Sequence, residues 1–257
     1  MGHHEFYRLP RTRRWQEVID LIGAGAAGAT VAAATSDAVR IDLEGGADDA
    51  GLTRALYLLA RLPDAARSRD FVAALASLGV QVGGVPSVAE LVLGLNEAVG
   101  RHLQESGGRT DLGDLAQTAL AETVAVVASD RAASLFGTEP EDVRRELAKL
   151  GTKKQFGLVA GEFFGRLTER LYDYYLSREL PEHVGRHRRF ETLQAKQDFQ
   201  DALRGHCREA SLIVESFAGS WYSKARYQKD LSEERVARFT AYVLTKIRRE
   251  LSSRVVA

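Results

Sequence analysis

The chain has 257 residues, of which 45% are hydrophobic and 27% are charged, so it can build a packed core and is not an intrinsically disordered polypeptide. Its 35 basic residues balance its 35 acidic residues, which excludes a uniformly basic or acidic protein. Cys207 is the only cysteine, which excludes an internal disulfide framework.

The amino-terminal sequence MGHHEFYRL has no apolar signal-peptide core, and Phe6 stands where a myristoylation signal needs serine or threonine. The longest uncharged run, 21–36, is mainly alanine and glycine and is too short to span a bilayer. A single cysteine also fits a reducing compartment. We therefore expect a cytoplasmic protein without a membrane partner.

Helical periodicity dominates the first part of the chain. Apolar residues recur at helical spacing over 15–22, and a leucine stripe predicts a second helix over 52–59. That helix is expected to stop before Pro63, because proline interrupts helical hydrogen bonding. A further helix is expected to open at Asp64 and to end at Gly79.

A capping box at Ser87 and Glu90 predicts the start of the next helix. The clearest linker follows at 105–108, where serine and two glycines interrupt the helical pattern. It suggests two packed lobes, an acidic one over 1–106 and a basic one over 109–257, although one compact unit is the alternative.

The remaining sequence is also helical in pattern, so we predict an all-α fold of eight to ten helices. Only two short stretches, 39–43 and 80–82, are candidate strands. The further helices are expected over 111–136, 138–151 (opening with a Thr138–Glu141 capping box), 154–180, 190–218 and 232–251.

The stretch Gly23–Gly28 reads GAGAAG, a formal GxGxxG motif. Asp42 or Glu44 stands at the distance at which a dinucleotide fold binds the ribose. However, Asp20 would lie inside the strand that must precede the motif, where an unpaired carboxylate is unfavourable. We interpret the motif as a junction between helices and keep a dinucleotide-binding protein as an alternative.

The segment RELPEHVGRHRR contains His183 and His187, four residues apart, a spacing that can bind zinc from one helix face. Gly185 interrupts the pair, and the neighbouring arginines would repel a cation. A third ligand would have to be His206 or Cys207, which belong to another predicted helix. We therefore expect no metal, and no other cofactor.

In the same segment, Arg178 and His183 stand in an Arg-x4-His arrangement that resembles the motif of HEPN-type ribonucleases, which are all-helical and usually dimeric. The resemblance implies that His183 transfers protons and that Arg178 stabilises the phosphate charge, without a metal. Pro181 departs from the helical setting of that family's motif. The alternative interpretation is a solvated basic loop between two helices.

The segment GSWYSKARYQK, 219–229, interleaves aromatic and basic residues. Aromatic rings can stack on unpaired bases while cations hold the phosphates. The alternative, which we favour, is a loop whose aromatic residues close the helical core. The candidate nucleic-acid contacts of the whole chain are Lys153, Lys154, Arg186, Arg188, Arg189, Trp221, Tyr222, Lys224, Arg226 and Lys229.

The charges are unevenly distributed: residues 15–142 have a formal balance of −11 and residues 143–257 one of +8. We expect a non-enzymatic accessory subunit of a larger assembly, such as a nucleic-acid-processing or antiviral complex. Its acidic part would bind a protein partner, and its basic part would contact nucleic acid or an acidic protein. Homo- and hetero-oligomers, the metal-independent ribonuclease and the dinucleotide-binding protein remain alternatives.

Overall fold

The computed structural model describes residues 12–40, 48–132 and 139–253, with side chains except those of 129–132. A bridge between Val184 and Phe190 is the only β-type pairing recorded within these ranges, so the predicted all-α fold is confirmed. The helices are α1 (Arg13–Gly23), α2 (Gly28–Ala38), α3 (Ala50–Arg67), α4 (Phe71–Ser77), α5 (Val88–Glu105), α6 (Asp111–Ala132), α7 (Pro140–Lys149), α8 (Lys153–Leu176), α9 (Leu193–Ser211), α10 (Ile213–Tyr227) and α11 (Glu233–Ser253), with a 3₁₀ helix at Leu180–His183.

Helix α8 lies at the centre of the bundle and packs against α6, α9 and α10. Its buried side chains face several directions, as expected of a helix that neighbours surround. One hydrophobic cluster extends from Trp15 in α1 to Leu251 in α11. Helices from both sides of the 105–108 linker contribute to this cluster, and the division into two lobes stays a prediction. No helix in the described ranges has both the length and the apolar character needed to cross a lipid bilayer.

Helix α3 continues through Pro63 to Arg67, so the prediction that it stops before Pro63 is wrong. The guanidinium of Arg144 in α7 donates hydrogen bonds to the carbonyls of Ala66 (3.1 Å) and Ser68 (2.7 Å). These bonds satisfy backbone groups at the end of the helix, while the buried ring of Pro63 packs in the core. Tertiary contacts thus offset the helical hydrogen bond that proline cannot make.

The expected helix start at Asp64 is also wrong, because this residue lies inside α3. The next helix, α4, begins at Phe71, where the Asp70 side chain accepts a hydrogen bond from the amide of Ala73 (2.9 Å). Residues 80–82 form no strand. Of the other candidate strand, 41–43 lie outside the described residues.

The helix predicted over 190–218 is two helices, because α9 ends at Ser211 and α10 begins at Ile213. Helix α10 then runs to Tyr227, so the prediction of a loop over 219–229 is wrong for most of that segment. At α7, the predicted cap Thr138 lies outside the described residues. Glu139 precedes that helix without a side-chain cap, and Pro140 is its first residue.

The predicted capping box at the start of α5 is confirmed. The Ser87 hydroxyl accepts from the amide of Glu90, and the Glu90 carboxylate accepts from the amide of Ser87 (2.9 Å). We expect Ser87→Ala to lower the free energy of unfolding by about 1 kcal/mol, measured by urea denaturation. Ser220→Ala, at an exposed position inside α10, is the control and should leave stability unchanged or slightly raised. An unaffected Ser87→Ala protein would contradict a stabilising cap.

Helices α8 and α10 cross at glycines, which lets their backbones approach closely. A β-carbon at Gly157 would lie 3.0 Å from the carbonyl oxygen of Glu215, and one at Gly161 would lie 2.7 Å from the Glu215 side chain. A β-carbon at Gly219 would overlap the carbonyl oxygen of Lys153. The crossing therefore sets the first turn of α8 against the middle of α10.

Candidate nucleic-acid interface

The candidate nucleic-acid residues fall into two groups at opposite ends of α8. This helix has 24 residues and is therefore about 36 Å long. The group at its carboxyl end is Arg186, Arg188 and Arg189. The group at its amino end is Lys153, Lys154, Trp221, Tyr222, Lys224, Arg226 and Lys229, because the Gly219 crossing and an Arg226 hydrogen bond to Gly151 hold α10 there.

At the carboxyl end, Arg189 holds the corner between α1 and α2. Its guanidinium donates to the carbonyl of Ala26 (2.8 Å) and lies over the rings of Phe190 and Phe199, 5.4 Å from each centroid. Gly25 sits beneath it with a φ of +87°, a conformation that favours glycine. Arg189 therefore makes intramolecular contacts, whereas Arg186 and Arg188 are exposed.

The glycine stretch is the junction between two helices that we inferred from its sequence. A dinucleotide fold requires a strand directly before the glycine motif. Residues 13–23 instead form the helix α1. Gly28 opens α2 against the backbone of Leu203 in α9, where a β-carbon would be 3.4 Å from the amide nitrogen. The possible ribose ligands Asp42 and Glu44 lie outside the described residues.

The Arg178–His183 pair is not held on one helix, since α8 ends at Leu176 and His183 closes the 3₁₀ helix. The Arg178 guanidinium lies 4.6 Å from the centroid of the Tyr174 ring. The Nε2 atom of His183 is buried, makes no hydrogen bond in the described structure, and lies 3.7 Å from the Glu179 carboxylate. A proton-transferring histidine needs an accessible nitrogen. The ribonuclease hypothesis stays a prediction, and this geometry does not favour it.

The described residues include no group of three histidine, cysteine, aspartate or glutamate side chains arranged to hold a metal. His183 and His187 lie in the segment after α8, while His206 and Cys207 lie in α9. Burial raises the pKa of the Cys207 thiol well above its ordinary value, and nearby carboxylates reinforce the effect. The thiol is therefore protonated at neutral pH and a poor nucleophile.

At the amino end of α8, two helices and two turns surround a cleft of about 470 Å³. We call it the arginine cleft. Its lining comes from the end of α3, the turn before α8, the end of α10 and the turn after α10. The lining residues are Arg61, Asp64, Gly151, Ser223, Arg226, Tyr227, Lys229 and Leu231.

Arg226 is the anchored cation of the arginine cleft. One of its nitrogens lies 2.6 Å from the Asp64 carboxylate, and another donates to the carbonyl of Gly151 (2.9 Å). Arg67 also packs against Gly151, where its guanidinium occupies the space a β-carbon would need. The extension of α3 beyond Pro63 is what brings Arg67 here.

Arg61 is a cation of the cleft that has no acidic partner in the described structure. Its guanidinium lies 5.9 Å from the centroid of the Tyr57 ring, and its buried Nε makes no hydrogen bond. With Arg226 and exposed Lys229, it brings three positive charges to a cleft whose lining holds one carboxylate, that of Asp64. Such an excess attracts anions.

Beside the cleft, the ring of Tyr222 is fully buried and stacks on Phe156 at a centroid distance of 3.8 Å. Its hydroxyl makes no hydrogen bond within the described residues. Burial raises the pKa of this hydroxyl, Asp64 adds to the shift, and Arg226, Arg67 and Arg61 oppose it. The hydroxyl therefore stays protonated and is a donor without an acceptor in the described structure. Its ring lies 5.5 Å from the guanidinium of Arg226, a residue of the cleft lining.

A second depression, of about 440 Å³, lies between α10 and α11 and is mainly aromatic. We call it the aromatic groove. Trp221 stacks on Phe239 at 4.0 Å, and Tyr242, which is 49% exposed, stands edge-on to Phe217. Lys246 lies 5.4 Å from the Tyr242 ring. The lining residues are Phe217, Trp221, Arg235, Arg238, Phe239 and Tyr242.

The turn 228–231 separates the arginine cleft from the aromatic groove. The guanidinium of Arg235, which lines the groove, donates hydrogen bonds to the side-chain oxygens of Gln228 and Asp230 (2.7 Å each). Lys229 and Leu231, between and beyond those two residues, line the cleft. The two depressions are therefore neighbours across one short turn.

Lys229 adopts a backbone conformation that usually belongs to glycine, with a φ of +53°. The amide of Asp230 donates to Ala225 and that of Lys229 donates to Arg226, which is the Schellman pattern at the end of α10. We expect Lys229→Gly to raise the free energy of unfolding by about 0.5–1 kcal/mol while it weakens anion binding. Thermal denaturation and oligonucleotide titration measure the two effects, and a loss of stability would contradict this reasoning.

Sequence reasoning missed Arg61 and Arg67 because they belong to the acidic half of the chain. It also missed most of the groove, although a readable signal exists: Arg235, Arg238, Tyr242 and Lys246 recur at helical spacing along α11. Such a basic and aromatic stripe is typical of a binding face.

No protein-family model, curated protein sequence or solved structure matches this chain. The chain's own residues are the basis for assigning a function. Among them, the arginine cleft and the aromatic groove place cations next to accessible aromatic side chains.

Proposed function

We propose that this protein is a non-enzymatic helical subunit that binds single-stranded nucleic acid across the turn 228–231. The observation that carries the proposal is the adjacency of the arginine cleft and the aromatic groove. The cleft offers cations for phosphate groups, and the groove offers rings for bases, so one strand can use both.

The phosphate part of the proposal depends on charges that are not already neutralised. Arg61 has no acidic partner in the described structure, and Lys229 has no recorded ion pair. Binding of phosphates to such cations releases counterions, so the affinity should fall as salt rises, with a slope of about −0.7 per phosphate for single strands.

The base part of the proposal depends on exposed ring surface. Tyr242 is half-exposed at the groove, and Tyr227, at the rim of the cleft, is 90% exposed. A base stacked on an aromatic side chain contributes about 1–3 kcal/mol, with little sequence preference. Paired bases in a duplex do not present these faces, so a single strand should bind more tightly than the duplex.

The protein partner expected for the acidic half of the chain stays a prediction. Within the proposal it would bind through amino-terminal helices other than α3, because α3 lines the arginine cleft. Co-purification of the protein from its source organism tests that part independently of nucleic-acid binding.

Fluorescence anisotropy with a labelled single strand of about 12 nucleotides tests the proposal. We expect saturable binding at about 50 mM salt, a linear loss of affinity on a logarithmic salt scale, and an intact oligonucleotide with or without EDTA. Undetectable binding at low salt would overturn the proposal. Metal-independent cleavage that disappears in His183→Ala would replace it with the ribonuclease.

A further inference from the structure

The arginine cleft is bounded in the way expected of a site for a single group rather than for a continuous strand. Gly151, in the turn before α8, and Lys229 and Leu231, in the turn after α10, form part of its lining. Its volume of about 470 Å³ is within the range of sites for small ligands, about 300–1,000 Å³. A strand that enters it is therefore expected to end there.

Resting on the proposed function, we propose that the arginine cleft binds the terminal phosphomonoester of a nucleotide. In this arrangement Arg61 and Arg226 bind the phosphate oxygens, and the Tyr222 hydroxyl donates a hydrogen bond to one of them. The same chemistry is found at the phosphorylated end of a strand and in a free nucleoside monophosphate.

The charge of the cleft favours a phosphomonoester over an internal phosphate. A phosphomonoester approaches two negative charges at neutral pH and has three terminal oxygens, whereas a phosphodiester has one charge and two such oxygens. Three cations against one carboxylate in the lining suit the more highly charged group. Arginine also matches phosphate geometry through paired hydrogen bonds.

The Tyr222 hydroxyl is the second, independent observation. It is a buried donor that has no acceptor in the described structure, and the ring that carries it lies 5.5 Å from the guanidinium of Arg226, which lines the cleft. Buried hydroxyl groups without a hydrogen bond are uncommon in folded proteins. A phosphate oxygen at the base of the cleft supplies the missing acceptor.

The remainder of the nucleotide would lie towards the rim. Tyr227 lines the cleft and is 90% exposed, so its ring is available to stack on the terminal base. The next nucleotides would cross the turn 228–231 towards the aromatic groove. This path gives the strand a defined end and a defined direction.

Competition binding with four ligands tests the inference: one single strand prepared with a 5′-phosphate, with a 3′-phosphate or with hydroxyl groups at both ends, and a free nucleoside monophosphate. We expect one phosphorylated end to bind about tenfold more tightly than the unphosphorylated strand. Equal affinity for all three strands would overturn the inference and leave the proposed function intact. If the free monophosphate binds and none of the three strands does, the result would support the inference and overturn the proposed function.

Tyr222→Phe isolates the hydroxyl, because the phenyl ring preserves the stack on Phe156. We expect this variant to lose the preference for the phosphorylated end, to bind the unphosphorylated strand as before, and to unfold at an unchanged or higher temperature. Arg186→Ala, at the other end of α8, is the matched control and should keep the preference. If the Tyr222→Phe protein retains the full preference, the hydroxyl does not donate a hydrogen bond to the bound phosphate.

Discussion

Gly219→Ala is expected to lower the free energy of unfolding by about 3 kcal/mol, the largest effect we expect of a glycine-to-alanine change within the described residues. The new β-carbon would overlap the carbonyl oxygen of Lys153 at the crossing of α8 and α10. The obstacle is backbone, so it cannot rotate away, and the two helices must separate. Urea denaturation measures the change.

Gly205→Ala is the matched control, because Gly205 also lies within a helix but its added β-carbon would meet nothing within 4 Å. Alanine forms helices better than glycine, so this variant should gain about 0.5–1 kcal/mol. Equal effects of the two substitutions would contradict the close crossing. They would also remove the basis for placing α10 beside the first turn of α8.

The double variant Arg61→Glu with Lys229→Glu should bind a single-stranded oligonucleotide about 100-fold more weakly at low salt. Each change removes a cation from the arginine cleft and introduces a repelling carboxylate. The salt dependence of the remaining binding should also become shallower, because fewer counterions are released. Neither residue has an ion pair recorded in the described structure, so the fold should be preserved, which circular dichroism verifies.

The same double charge reversal at Arg186 and Arg188 provides the comparison. These arginines are exposed at the opposite end of α8, about 36 Å away along the helix. Binding should change by less than about threefold, since screening at moderate salt confines electrostatic effects to roughly 10 Å. A greater loss at this end than in the cleft would move the interface to the 186–189 segment.

Local patterns in the sequence were sufficient to predict much of this fold. Helical spacing predicted α1 and α11, and the capping box predicted the start of α5, because these signals depend on neighbouring residues alone. The helical period before Gly23 also identified the glycine stretch as a junction rather than a nucleotide-binding turn. Arg226 and Lys229 of the cleft belong to the basic half of the chain, whereas Arg61 does not.

The rest of the candidate site depends on contacts between distant residues. Pro63 predicts a helix end by local rules, yet Arg144 binds the end of α3 from another helix. This extension brings Arg67 against Gly151, a residue of the cleft lining. Arg61 and Arg67 were missed because the net charge of residues 15–142 is negative. A net charge sums residues that the fold separates, so it does not show where single cations lie. The role of Gly219 was missed because the sequence around a helical glycine does not show which other helix packs against its backbone.

Photocrosslinking tests the central claim, that nucleic acid binds at the corner between α10 and α11, most directly. A single strand that carries a photoreactive group at either end would be irradiated with the full-length protein, and the attached peptides would be identified by mass spectrometry. We expect crosslinks to peptides that contain Tyr227 and Tyr242, one on each side of the turn 228–231. Crosslinks confined to the 183–190 segment, or none under conditions where the strand binds, would contradict the claim.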